Sequence, residues 1–234
     1  NEQKNWIEYP ILKDKVKDFF ENEFYQYLNN DKLNDYQKYK WIRDFLLLTL
    51  YTELPPARIG NYQFMVIKNK NKRSGTSLNK KHNYLMINGN NTYELVFNQY
   101  KTSQYLGQID HTIDENNIIS KILPRYIEVR DNFINNKKNL TLFVNKEKRD
   151  MTQSNITDTL KYITRKVVDK ELSVNLIRHI FISDYLSLNH TIEEKRQIAN
   201  FMGQTYDATM MEKYNKKKPV VEDNKNDKII VSFD

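Results

Sequence analysis

The chain has 234 residues, of which 39% are apolar, and its 16 Tyr, 11 Phe and 2 Trp outweigh 5 Gly and 5 Pro. That composition supplies a core for one large domain or two small ones and argues against collagen-like, coiled or low-complexity architectures. The absence of Cys removes disulfides, iron–sulfur clusters, thiolate zinc sites and cysteine nucleophiles together, while a net charge of +7 favours a polyanionic partner.

Apolar positions Ile11, Leu12, Val16, Phe19, Phe20, Phe24, Tyr27 and Leu28 recur every three or four residues and predict an amphipathic helix over 11–28. A second helix is predicted over 35–51. Its second half, Phe45 to Tyr51, is apolar on nearly every face and belongs in the centre of the molecule, and Pro55-Pro56 stops it. Short runs rich in Val, Ile, Tyr and Phe over 62–67, 84–87, 94–100 and 108–113 then predict strands, separated by Gly75 and by Asn88-Gly89-Asn90-Asn91. A small antiparallel sheet is the economical arrangement. The connection 68–81 carries Lys68, Lys70, Lys72, Arg73, Lys80 and Lys81, a set suited either to solvent or to phosphates.

Helical periodicity returns over 118–133, with Pro124 inside it, and over 153–168 after a short strand at 140–144. Further helices are predicted over 176–188 and from the capping box Thr191-Ile192-Glu193-Glu194 through Phe201, ended by Gly203. Residues 207–214 suit one more short helix. The polar stretch from Lys216 onward ends in the β-prone Lys228 to Phe233. Helices, a small sheet, then helices again define a mainly helical α+β fold.

Nucleotide-cradling glycine loops are missing, as is any metal-ligand spacing among His82, His111, His179 and His190. No cofactor or metal is therefore expected. No apolar run approaches the roughly 18 residues needed to cross a bilayer, and the N-terminus has no hydrophobic signal core, so an intracellular protein without a membrane partner is expected.

The residues left to carry chemistry are basic groups and tyrosines at element boundaries. Leu50-Tyr51-Thr52-Glu53-Leu54-Pro55-Pro56-Ala57-Arg58 resembles the helix that leads to the first catalytic arginine of the tyrosine recombinase (phage-type integrase) superfamily, with Pro-Pro in a box that is commonly T-G-L-R. Lys101-Thr102 resembles the lysine on the family's β-hairpin, and Leu142-Phe143-Val144 with Met151-Thr152-Gln153-Ser154 resembles its strand and loop before a helix. Asn175-Leu176-Ile177-Arg178-His179 resembles the H-x-x-R-H box, and Met202-Gly203-Gln204 with Tyr214 resembles L-G-H and the nucleophilic tyrosine. Each box is degenerate, but their order is the family's, over about residues 36–216.

The resemblance implies a catalytic domain over 1–216, whose residues 1–35 are an N-terminal helical extension, and a tail over 217–234 that docks in cis or in trans. It implies a site-specific recombinase or integrase that cleaves and rejoins duplex DNA without metal or ATP. By the same resemblance Tyr214 attacks the phosphate to form a 3′-phosphotyrosyl bond, Arg58 and Arg178 clamp its oxygens, and Lys101 protonates the leaving 5′ oxygen. Asn175 stands where the family has a histidine and Gln204 where it has His or Trp, and an amide can donate a hydrogen bond but cannot shuttle a proton. Taken alone, Arg58 would equally suit the free carbonyls at a helix end, and Tyr206 is a second phenol near the proposed nucleophile. The alternatives are a type IB topoisomerase-like enzyme and a catalytically impaired DNA-binding relative. The implied partners are double-stranded DNA and further copies of the chain in a synaptic tetramer. The roughly 35 residues before the matched region are too few for the family's upstream core-binding domain, so an excised catalytic fragment is expected.

Overall fold

The structure is a computed structural model that describes residues 3–70, 78–89, 91–136 and 139–204. The first long segment is two α-helices, α1 (Tyr9–Phe19) and α2 (Tyr25–Leu28), joined without a break by a π-helical turn over Phe20–Phe24. Leu12, Val16, Phe19, Phe24 and Leu28 from this segment are buried against α3 (Asp35–Thr52). The capping box at α3's start is closed by Asn34 and Gln37, and from Trp41 to Thr52 every residue is buried. A helix apolar on all sides has to be surrounded, and α3 is the axis of the hydrophobic core.

After the double proline, a short helix α4 (Ile59–Gln63) precedes the sheet strands β1 (Val66–Asn69), β2 (Tyr84–Ile87) and β3 (Tyr93–Phe97). A one-turn helix α5 (Ser103–Leu106) interrupts the path to β4 (Ile109–Ile113). Two expectations fail here. The run 62–67, rich in β-forming residues, splits into the end of α4 and the start of β1, because the chain re-enters a helical turn as soon as the prolines are passed. The sheet is mixed rather than antiparallel. β2 and β3 and then β3 and β4 are antiparallel, but β1 pairs with β2 in parallel, Val66 opposite Tyr84. Parallel pairing needs a long return path, and the connection between Asn69 and Tyr84 has the length for one.

Helix α6 (Ile118–Ile134) follows, starting at the Asn117 cap and running through Pro124. Residues 140–144, expected as a strand, make isolated bridges at Thr141 and Val144 instead. The Leu140 carbonyl and Leu142 amide pair with the backbone of Ile67 and Met65, and side chains take others: Tyr39 and Arg43 from α3 bond to Val144, Tyr126 from α6 donates to the carbonyl of Leu142, and Arg130 to that of Thr141. Helices α7 (Gln153–Val168), α8 (Val174–Ser187) and α9 (Ile192–Phe201) complete the described fold, each with a Ser or Thr side-chain N-cap. α8 starts earlier than the predicted 176 because Ser173 caps it, and this puts Asn175 in its first turn. The short helix predicted over 207–214, with Tyr206 and Tyr214, and the β-prone segment 228–233 lie outside the described residues.

Candidate functional site

α3 ends at Thr52, and the Leu54-Pro55-Pro56-Ala57 connection carries the chain back over buried Leu54 and Ala57. Arg58 comes next, in extended conformation as the N-cap of α4. It does not cap α3, whose end is closed by the Glu53 amide on the Thr49 carbonyl. Its Nε is buried and has no hydrogen-bond partner among the described residues. With Lys101, Asn175 and Arg178, the Arg58 side chain lines a cleft of about 350 Å³.

Lys101 was expected at the end of a strand, but β3 stops at Phe97 and Lys101 stands in the turn beyond it. The turn is fixed by Asn83, a buried residue just before β2. The Asn83 Oδ1 accepts from the amides of Asn98 (2.8 Å) and Gln99 (2.7 Å), and its Nδ2 donates to the carbonyls of Gln99 (2.8 Å) and Asn61 (2.9 Å). All four hydrogen-bonding positions of the amide are used. One side chain therefore ties the Lys101 turn to the helix that follows Arg58. Tyr100, which also lines the cleft, donates its hydroxyl to the Gly107 carbonyl at 2.7 Å, and burial holds its phenol pKa above the usual value.

Two helix N-termini open on the same space, since Gln153 is the first residue of α7, and Val174 and Asn175 are the first two of α8. Neither helix has an acidic residue in its first turn, so the positive ends of both dipoles are uncompensated there. Asn175 and Arg178 sit three positions apart and share a helix face. Three cationic side chains, and no carboxylate, are among the described residues lining the cleft. Such a cavity suits an anion.

Arg178 is 2% exposed, and its Nη1 donates to the carbonyls of Pro56 (2.5 Å) and Met202 (3.3 Å). It thereby joins the double-proline connection to the end of α9. The guanidinium charge also acts on the buried phenols of Tyr51 and Tyr62, favouring their ionised forms, although burial is the larger effect and raises both pKa values. Gly203 ends α9 with a φ of 69°, in the left-handed region that glycine enters freely, and a side chain there would meet Tyr100 at 3.4 Å. Gln204 follows, 3% exposed, and neither its Oε1 nor its Nε2 has a hydrogen-bond partner among the described residues. It is not one of the residues lining the cleft.

The other basic residues singled out in the sequence are placed differently. Lys68 and Lys70 line a separate hollow on the sheet, shared with Glu94 and Asp110, and Lys70 pairs with Glu94 at 3.7 Å. Lys72 and Arg73 lie outside the described residues. Sequence reasoning missed Asn61, Gln99, Gln153 and Asn83. A signal for Asn61 was present in its place three residues after Arg58, one turn along the same face, but nothing local marks Asn83, whose partners lie 15 to 22 positions away.

No protein-family profile matches the chain, and no curated protein does. Among solved structures, the crystal structure of XerA recombinase is similar over 88% of this chain and 59% of that one, with a TM-score of 0.51 and 14% sequence identity. The chain thus spans well under two thirds of that protein, and at this identity the likeness shows one thing: the mainly helical fold with its small mixed sheet is the fold of that recombinase.

Proposed function

We propose that this chain is the catalytic domain of a tyrosine recombinase, which breaks and rejoins strands of duplex DNA. The observation that carries the reading is the convergence of Arg58, Lys101, Asn175 and Arg178, far apart in sequence, on one cleft lined by cations and helix N-termini. A phosphodiester is the ligand such a site suits. Guanidinium groups present fixed donors to its non-bridging oxygens and neutralise the charge that grows on them as the phosphorus is attacked, the service a metal ion would otherwise give.

In this reading the Tyr214 phenol oxygen attacks phosphorus, a P–O bond to tyrosine forms, and the P–O bond to the 5′ oxygen breaks. In net terms the phenol proton ends on the departing 5′ oxygen, delivered by Lys101. One phosphodiester replaces another, so attack by a 5′-hydroxyl reseals the strand without ATP. Asn175 offers the phosphate a further hydrogen bond and no proton. The domain extends over 1–216, the tail over 217–234 docks in cis or in trans, and copies assemble on DNA into a synaptic tetramer. The amides at 175 and 204 favour a second reading, a relative that binds DNA but cleaves it poorly.

The test is a pool of nicked duplexes with random flanking sequence, whose cleavage releases a short strand and traps the covalent protein–DNA adduct. The wild-type chain and Tyr206→Phe are expected to form the adduct, and Tyr214→Phe to form none. An adduct that survives Tyr214→Phe would overturn the nucleophile, and binding without any adduct would favour the impaired relative. Relaxation of supercoiled plasmid by a monomer would move the assignment to a topoisomerase.

A further inference from the structure

The cleft holds one buried group to which the proposed chemistry gives no task. Asn61, on α4, is 1% exposed and lines the cleft beside Arg58, yet neither its Oδ1 nor its Nδ2 has a hydrogen-bond partner among the described residues. Buried amides are nearly always paired, and two unpaired atoms on one side chain point to a partner that binds there. The residue's backbone is by contrast held at both ends. Its amide donates to the Arg58 carbonyl at 3.0 Å, and its carbonyl accepts from Asn83 Nδ2 at 2.9 Å. Gly203 closes one side, since a Cβ on that residue would lie 4.0 Å from Asn61 Oδ1. The backbone of Asn61 is thus fixed at the wall of a cationic cavity, and its buried side chain carries a donor unused among the described residues.

We infer that the Asn61 side-chain amide is a further phosphate ligand of the cleft, donating Nδ2–H to a non-bridging oxygen next to Arg58. The inference rests on the reading of the cleft as a phosphodiester site and adds to it a neutral donor that does not titrate. A hydrogen bond to an anionic oxygen is among the stronger kinds, and here neither the backbone nor the α4 turn has to be ordered when the ligand arrives. Asn83 becomes the positioning residue for this donor and for the Lys101 turn at once.

The experiment is a titration of the whole chain with inorganic phosphate, followed by NMR on the side-chain NH2 of Asn61 and the Nε–H of Arg58. Both signals are expected to shift and saturate with one midpoint. In Asn61→Ala the dissociation constant read from Arg58 should rise about tenfold, the equivalent of one hydrogen bond to a charged group. Asn61→Asp has the same shape and turns a donor into an anionic acceptor, so it should bind more weakly still while its thermal midpoint stays near that of the wild type. If the Arg58 signal saturates while that of Asn61 stays still, or if Asn61→Asp binds as tightly as the wild type, the inference falls and the cleft reading stands. If neither signal moves, both fall.

Discussion

Two regions of this molecule bury polar groups and treat them in opposite ways. In the wall formed by α3 and α6, Arg43 is 4% exposed and Arg130 is 2% exposed, and both guanidinium groups are fully engaged. Arg43 pairs with Asp44 at 2.6 Å and donates to the Val144 carbonyl at 3.0 Å, and Asp44 also receives Lys40 at 2.5 Å. Arg130 bonds to the carbonyls of Asn139 and Thr141 and to Asp131. Around the cleft, the buried Nε of Arg58 and both amide atoms of Asn61 and of Gln204 have no partner among the described residues. Each such atom costs about 1–3 kcal/mol when left dry. Arg43 and Arg130 have their hydrogen bonds filled by the fold, as Arg178 of the cleft also does through Pro56 and Met202, whereas Arg58 and Asn61 keep donors unfilled.

The strongest way to break this contrast is to cut into the satisfied side. Asp44→Ala removes the carboxylate shared by Arg43 and Lys40 and leaves a buried guanidinium without its counter-charge, so the unfolding free energy should fall by about 3–5 kcal/mol in chemical denaturation. A loss below about 1 kcal/mol would mean that this network does not hold residues 139–144 to the helices. It would also remove the reason given for the absence of a strand there.

A smaller effect probes the seam between the sheet and the end of α9. His111 of β4 packs edge-on against Phe201 with ring centroids 4.8 Å apart, and burial lowers its pKa below the usual imidazole value. A lowered value means that the folded chain takes up a proton at lower pH than the unfolded chain does. The stability His111 contributes is therefore present above its unfolded pKa and is lost as pH falls through that range. The thermal midpoint of the wild type should drop more than that of His111→Phe between about pH 8 and about pH 5, where imidazole titrates. Equal drops would show that burial of this ring is not linked to folding.

The legible parts of the fold were those that local chemistry decides. The limits of α7 fall at 153 and 168, as the cap at Thr152 and the apolar spacing predict, and β2 occupies the predicted 84–87. Residues 62–67 misled because Tyr62 and Phe64 favour strands, while the helical turn of α4 is set by the prolines and by packing. The direction of β1 was hidden because pairing across the connection 70–83 depends on a long return path and on no local motif. For the cleft, it was the resemblance of the boxes to those of a known family that pointed to Arg58, Lys101, Asn175 and Arg178. Asn61 and Asn83 could not be read, since an asparagine before a tyrosine looks the same whether its amide is in solvent or buried.

The measurement that bears most directly on the contrast is made on Arg58→Gln, with unfolding free energy and affinity for a duplex oligonucleotide determined on the same preparation. Stability should stay within about 0.5 kcal/mol of the wild type, as for a side chain that completes no internal network, while DNA affinity falls about tenfold and its dependence on salt becomes shallower. A variant that loses stability by 2 kcal/mol or more, on the order of a core mutation, and still binds DNA like the wild type would show that Arg58 serves the fold and that the cleft is not the DNA site.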